Sequence, residues 1–354
     1  MVSGRRLRRD DGEGSQRKVE IIPWEGGSLL QVSVPMDPPL RQVNSYILPE
    51  GADGITVIDP GPRSPETESV WQSVLDELGL SWKGIREVVV THHHPDHYGL
   101  SGWMQSRSGC KVRMTRRAHQ EALLMWGGQS TMNDTLPAYF AGHGMPESWT
   151  TQIYGHLLSF EPQVTPQPQV SYIDPAEPFV MGGRTWQPLV TGGHAPGQIS
   201  FYHAESGHLL CGDAVLPQIS PNVSLLPGSD ESPLLTFLQG LEQLGSYPVS
   251  LAFPGHREPF RGWSERTHSL IRHHEERLQT TEALLAAGPR SGFEVCDSLF
   301  RGRIASVHQM RFAMSETLAH LVELVRRERA VTVEQDGITR FALKESASGA
   351  ITTS

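Results

Sequence analysis

Three short apolar runs, residues 29–34, 43–48 and 55–58, open the patterned part of the chain and are broken by Pro, Asn and Gly, so each reads as a strand. Over 66–78 the period changes. Val70, Val74, Leu75 and Leu78 fall on one helical face, and Gly79 stops the helix. Residues 85–90 form a β-branched strand, 100–106 a helix, 112–114 a strand and 117–125 a helix. Alternation of this kind predicts a layered α/β domain. From Trp126 to about Pro168 the rhythm fails. Trp126, Met132, Tyr139, Phe140, Met145, Trp149 and Tyr154 lie there among Gly, Pro and polar residues. Two readings stay open. One is a partly helical lid whose Trp126, Tyr139, Phe140 and Trp149 line a small-molecule pocket; the other is a satellite core under a long loop. His143 and His156 in this stretch read as pocket or packing residues.

The last third reads differently. Residues 264–287 predict one long, charge-dense helix with Leu270, Ile271, Leu278 and Leu284 as its apolar side, ended by Gly288-Pro289. Residues 293–300 follow, then a helix over 314–329 carrying Leu318, Leu321, Val322 and Val325. Two strands, 331–333 and 338–343, flank Gln335-Asp336-Gly337, a hairpin with a D-G turn. Helices followed by a two-stranded wing predict a small winged-helix domain. The division expected is a disordered basic tail over 1–18, a catalytic domain over 19–262 with its insertion at about 126–168, the long helix and winged helix over 263–345, and a disordered tail over 346–354.

Composition narrows the class. A chain of 354 residues can bury a full core in more than one domain, and its net charge of −9 argues against a polyanionic partner. Arg5, Arg6, Arg8 and Arg9 precede no apolar segment, so they do not form a twin-arginine export signal. Cys110, Cys211 and Cys296 stand far apart without a C-x-x-C, which predicts a reduced, cytoplasmic chain with no disulfide framework. No run is apolar and long enough to span a membrane.

The candidate chemistry begins where the 85–90 strand ends, in Thr91-His92-His93-His94-Pro95-Asp96-His97. His92, His94, Asp96 and His97 offer imidazole and carboxylate donors at H-x-H-x-D-H spacing, a set that suits zinc. Four donors within six positions exceed what one open catalytic zinc takes from such a loop, so two neighbouring metals explain them better. Thr191-Gly192-Gly193-His194-Ala195-Pro196-Gly197-Gln198-Ile199-Ser200 is a second constellation. Leu209-Leu210-Cys211-Gly212-Asp213 and Leu251-Ala252-Phe253-Pro254-Gly255-His256 each end an apolar strand on a candidate ligand. By the strand period Cys211 shares a face with Asp213; it reads as a small buried residue.

These motifs resemble those of the metallo-β-lactamase-fold hydrolase superfamily. So does the opening, Asn44-Ser45-Tyr46 followed by Ile58-Asp59-Pro60-Gly61. The resemblance implies an αββα sandwich in which His92, His94 and His194 hold one metal and Asp96, His97 and His256 the other. Asp213 and a water or hydroxide bridge them, and Asp59 hydrogen-bonds a ligand histidine and fixes its tautomer. Asp96, His194 and Asp213 are then the catalytic set, around two zinc ions or, in such an N/O site, iron or manganese. Gln198 stands where the family often has a further histidine. An Asp at 213 points toward glyoxalase II, lactonases and RNase Z rather than the β-lactam-degrading members with a cysteine ligand. Family members usually follow His256 with Gly; this chain has Arg257, either an anchor for an anionic substrate group or a partner for Glu258. Ala319-His320-Leu321-Val322-Glu323-Leu324 resembles the H-L-x-x-L of a branch with a C-terminal winged helix. His93, His119, His203, His208, His268, His273, His274, His308 and His320 lack a ligand context and read as surface or core residues.

That branch includes endoribonucleases, but a nuclease needs cations along its phosphate track. Between Arg117 and Arg257 the only Lys or Arg is Arg184. Arg326, Arg327 and Arg329 do sit in the C-terminal domain, beside Glu323 and Glu328. The expectation is therefore a hydrolase of small acyl esters or thioesters, similar to glyoxalase II, with nucleic acid disfavoured. Its C-terminal module would pack on the catalytic domain, wall the pocket or form a homodimer. The alternatives are an endoribonuclease or other phosphodiester-processing enzyme, and a lactonase or β-lactamase-like hydrolase.

Overall fold

A computed structural model describes residues 19–51 and 54–344; the two expected tails lie outside the described residues. Seven strands form the first sheet in sequence order: β1 (Ile21–Trp24), β2 (Leu29–Pro35), β3 (Gln42–Pro49), β4 (Ile55–Ile58), β5 (Ile85–Val89), β6 (Lys111–Met114) and β7 (Val170–Tyr172). Hairpin-like antiparallel pairing runs to β4, and parallel pairing from β4 to β7. The second sheet holds β8 (Phe179–Met181), β9 (Arg184–Thr191), β10 (Gln198–His203), β11 (His208–Gly212) and β12 (Leu251–Pro254), in the order β12-β11-β10-β9-β8.

The strand period sorts side chains into layers. Tyr46, Leu48, Ile58 and Val89 of the first sheet meet Trp186, Ile199, Phe201, Leu210 and Phe253 of the second. On the far side of the first sheet, Ile47, Val57, Val88 and Val90 pack under α1 (Pro65–Glu77), α3 (Ser101–Ser108) and α4 (Arg116–Trp126). Leu209, Cys211 and Ala252, on the far side of the second, pack under α7 (Pro233–Gly245) and α8 (Trp263–Leu284). The layers are thus helix, sheet, sheet, helix. Ser64 starts α1 with a reciprocal cap, its hydroxyl accepting from Thr67 N while Thr67 Oγ1 accepts from Ser64 N. The fully buried Trp71 of α1 donates its indole N–H to Pro60 O at 2.7 Å, which ties the helix to the turn that carries Asp59.

The insertion is two helices, α5 (Met132–Gly142) and α6 (Glu147–Leu158). Leu136, Phe140, Met145, Ile153 and Leu157 join one core with Val295, Leu318 and Phe341 of the C-terminal part. That part contains β13 (Arg290–Ser291), α9 (Gly292–Phe300), α10 (Val307–Arg326), β14 (Ala330–Gln335) and β15 (Ile338–Leu343), with the strands ordered β13-β15-β14. Asp336 and Gly337 turn the hairpin with φ of 53° and 73°, the conformation a D-G pair favours. Helix α10 starts well before the predicted 314 because Ser306 caps it, accepting from Gln309 N at 3.2 Å. No helix of the described residues is long and apolar enough to cross a membrane.

Candidate metal centre

The ends of β5, β9, β11 and β12 converge at one edge of the sandwich. After β5 the chain leaves its strand at Val90 and makes a single turn, α2 (Pro95–Tyr98), which carries Asp96 and His97. His194 lies in the turn between β9 and β10, Asp213 just past β11 and His256 just past β12. Gly212 bends the end of β11 with a φ of 49° and a break in register with β12. The bend interrupts the strand period. The expected shared face of Cys211 and Asp213 is therefore corrected: the Cys211 thiol points into the helical core and donates to Val215 O and Phe253 O. A Cβ on Gly255 would stand 2.2 Å from Asp213 Oδ1 and 2.6 Å from His97 Cε1, so only glycine lets the His256 loop approach so closely.

Two donor triads result: His92, His94 and His194, and Asp96, His97 and His256. Asp213 lies between them. Its Oδ2 stands 3.8 Å from His194 Nε2, 3.6 Å from His97 Nε2 and 3.4 Å from His256 Nε2. All seven residues assigned to the metals are therefore brought together.

Four of the five rings are held from their other side. His97 Nδ1 donates to Asp59 Oδ2 at 2.9 Å, His194 Nδ1 to Asn222 O at 2.8 Å and His256 Nδ1 to Gln42 O at 2.9 Å. Asp59 also accepts from Thr91 N and from Thr91 Oγ1, both at 2.7 Å. Because that hydroxyl donates to Asp59, it accepts from His92 Nδ1 at 3.0 Å. Asp59 thus fixes the tautomers of His97 directly and of His92 through Thr91. Asp59, His92 and His97 also lie close enough to suggest a third metal cluster, but the Asp59 oxygens are already spent on these donors.

The tautomers test whether cations fit. Their Nδ1 atoms being donors, neutral His92 and His194 turn bare Nε2 lone pairs toward each other at 3.4 Å. Lone pairs this close repel unless a Lewis acid takes them. His97 Nε2, His256 Nε2 and Asp213 Oδ1 are buried without a hydrogen-bond partner. The donor set fits metal ions.

Charge agrees with geometry. Burial pulls the pKa of His92, His94 and His194 down and keeps them neutral, the state that ligates. Burial also opposes charge on His97 and His256, but the carboxylates of Asp213, Asp59 and Asp96 outweigh it at His97, and those of Asp213 and Asp96 do so at His256, raised to about 10. Burial works against ionised Asp213 and Asp96 as well, yet His256 and His97 hold both carboxyls below their usual range. The carboxylates favour positive charge here, carried either as ring protons or as cations.

The pocket candidates fare unequally. Trp126 donates its indole N–H to His93 O at 3.0 Å, which places it against the histidine loop. Phe140 has no exposed surface, and Trp149 packs on the same core. Tyr139 lies edge-on to His143, whose ring stacks on Phe341 of β15. Arg257 is exposed at a φ of 71° and forms no ion pair with Glu258 among the described residues, so the pairing alternative is not met; its carbonyl accepts from Asn44 Nδ2 at 2.6 Å. Gln198 is buried with an unpartnered Oε1. A cleft of about 650 Å³ opens against the His194 turn, lined by Gly192, Pro196 and Gly197 with Arg117 and Thr236, and none of the seven donors lines it.

Three supports escape the sequence reading. Asn44 Nδ2 and Tyr46 Oη both donate to Pro254 O, at 3.0 and 2.7 Å, and steady the turn that presents His256. Their place in an opening motif is a signal without a role. Asn222, in a featureless loop, carries no signal at all.

Comparison with known proteins agrees. The family described as "Metallo-beta-lactamase superfamily" matches residues 38–256, and "Metallo-beta-lactamase-like, C-terminal domain" matches 278–344. The chain is similar to the "Probable metallo-hydrolase YqjP" of Bacillus subtilis, 25% identical over 82% of this chain and 90% of that one. Among solved structures it resembles the metallo-beta-lactamase family protein TTHA1429 of Thermus thermophilus, 31% identical, with a TM-score of 0.78 over 89% of this chain and 98% of that one. A beta-lactamase domain protein of Burkholderia ambifaria is 28% identical, with a TM-score of 0.82 over 94% of this chain and 96% of that one. The chain belongs to the metallo-beta-lactamase superfamily, as a metallo-hydrolase with a C-terminal domain.

Proposed function

We propose that the protein hydrolyses small carbonyl esters or thioesters with two zinc ions held by His92, His94 and His194 and by Asp96, His97 and His256, with Asp213 between them. The observation that carries this reading is Asp213 Oδ2, within 3.4–3.8 Å of ring nitrogens from both triads. An N/O donor set suits zinc. When bound, such ions acidify a shared water and polarise a carbonyl oxygen. The chain supplies the rest. Asp96 is partly exposed, so its carboxylate can take a proton from attacking water. Asp59 and Thr91 hold His92 and His97 in their ligating tautomers.

Charge supports a small substrate over RNA. Four cations of the C-terminal domain are spent internally: Arg326 pairs with Glu323, Arg327 with Glu323 and Glu275, Arg329 with Glu282 and Arg340 with Glu294. Paired guanidiniums have little left for a phosphate track.

The test is a screen of zinc-loaded protein against acyl thioesters, p-nitrophenyl esters, lactones, β-lactams and single-stranded RNA. Turnover of esters or thioesters that disappears in His194→Ala is expected. Metal-dependent RNA cleavage lost in the same variant, without ester turnover, would reverse the assignment.

A further inference from the structure

Helix α10 buries a cation, Arg311, beside residues that support the metal centre. Arg311 is only 9% exposed, and its Nε has no hydrogen-bond partner. Its guanidinium lies over Phe312, 4.4 Å from the ring centroid, and over Phe160 at 5.4 Å. Stacking occupies the face of a guanidinium and leaves its edge donors unpaired. Burial alone pulls the pKa of Arg311 down, to about 10, with no carboxylate close enough to hold it up. An unpaired buried charge is costly, and proteins rarely keep one without an acceptor.

The surroundings face the same way. The rings of His156 on α6 and His308 on α10 stand 5.4 Å apart, and His156 Nδ1 is buried without a partner. Burial first, then the charge of Arg311, lowers both rings to about 4, so they are neutral donors at ordinary pH. The metal centre is next door. Asn222, whose carbonyl holds His194, donates its amide to Phe312 O at 3.3 Å and to Glu316 Oε2 at 2.9 Å. Trp126, bound to His93 O, packs on Phe160 with ring centroids 5.7 Å apart.

We propose that Arg311, with His156 and His308, forms an anion-binding subsite beside the metal centre that holds a carboxylate carried on the acyl part of the substrate. This names the substrate class within the hydrolase reading above and rests on it. A carboxylate fits a guanidinium edge in bidentate fashion. The cation would come from the C-terminal domain, since between Arg117 and Arg257 the only Lys or Arg is Arg184.

The experiment is calorimetric titration of zinc-loaded protein with the α,ω-dicarboxylates from succinate to suberate and with the matching monocarboxylates. At least one dicarboxylate is expected to bind about tenfold more tightly than its monocarboxylate, as a charge-assisted bidentate pair allows. Arg311→Gln, checked for parental circular dichroism and metal content, should abolish that preference, and Arg311→Lys should retain part of it. If Arg311→Gln does not fold, His308→Ala serves as the second variant and should reduce the preference. No dicarboxylate preference in the parent, or one that survives in a folded Arg311→Gln or His308→Ala protein, overturns the proposal. Turnover plays no part in this readout, so a failed ester screen and a failed subsite are told apart.

Discussion

Asp96 and Asp59 are both carboxylates near His97, and they do different work. Asp96 Oδ2 lies 3.1 Å from His256 Nε2 and faces the centre, whereas Asp59 accepts from Thr91 and His97 behind it. Asp96→Asn keeps the shape but loses the charge and the proton acceptor. It is expected to weaken the second metal and to lower kcat by about 10²–10⁴, the range for losing positioned acid–base catalysis. Elemental analysis and single-turnover kinetics check this; parental kcat with both metals bound would make Asp96 a spectator. Asp59→Asn keeps one acceptor oxygen but brings an amide N–H against Thr91 or His97. Metal affinity is expected to fall about 10–100-fold, as for other residues that orient a ligand from behind. Competition with a chromophoric chelator measures it, and an unchanged affinity would remove the role given to Asp59.

At the scale of elements, α5 and α6 share a core with α10 and β15, so the insertion is clamped by the C-terminal domain. Phe140 is the fully buried centre of that contact. Phe140→Ala should cost about 3–5 kcal/mol of stability, the range for a large core truncation, while metal content stays unchanged. Urea unfolding checks it, and a loss under about 1 kcal/mol would mean the insertion folds apart from the core. Elements of this kind explain what the sequence could tell. The ligands are legible because each ends an apolar strand beside its own turn residues, as in Val88-Val89-Val90-Thr91-His92 and Phe253-Pro254-Gly255-His256. Helix α7 receives no assignment from the sequence reading, although Ser232-Pro233 and the helical spacing of Leu234, Phe237, Leu238, Leu241 and Leu244 carry a complete signal. Arg311 could not be found that way. Its significance depends on α10 docking against Phe160 of a distant segment, and no local pattern encodes such a contact.

The whole molecule joins two kinds of resource. The sandwich supplies donors for metals; the C-terminal domain supplies Arg311 and a core for the insertion. Its remaining cations named above are paired with its own carboxylates or those of α8. Binding of single-stranded RNA is therefore expected to be weak, with a shallow dependence on salt; a steep slope in a fluorescence titration would indicate a phosphate track instead. All of this rests on the centre holding two cations, and metal stoichiometry tests that most directly. Elemental analysis of active, extensively dialysed protein should find close to two divalent ions per chain, with activity lost on chelation and regained only as the second ion returns. Full activity with a single ion per chain would contradict the two-triad account.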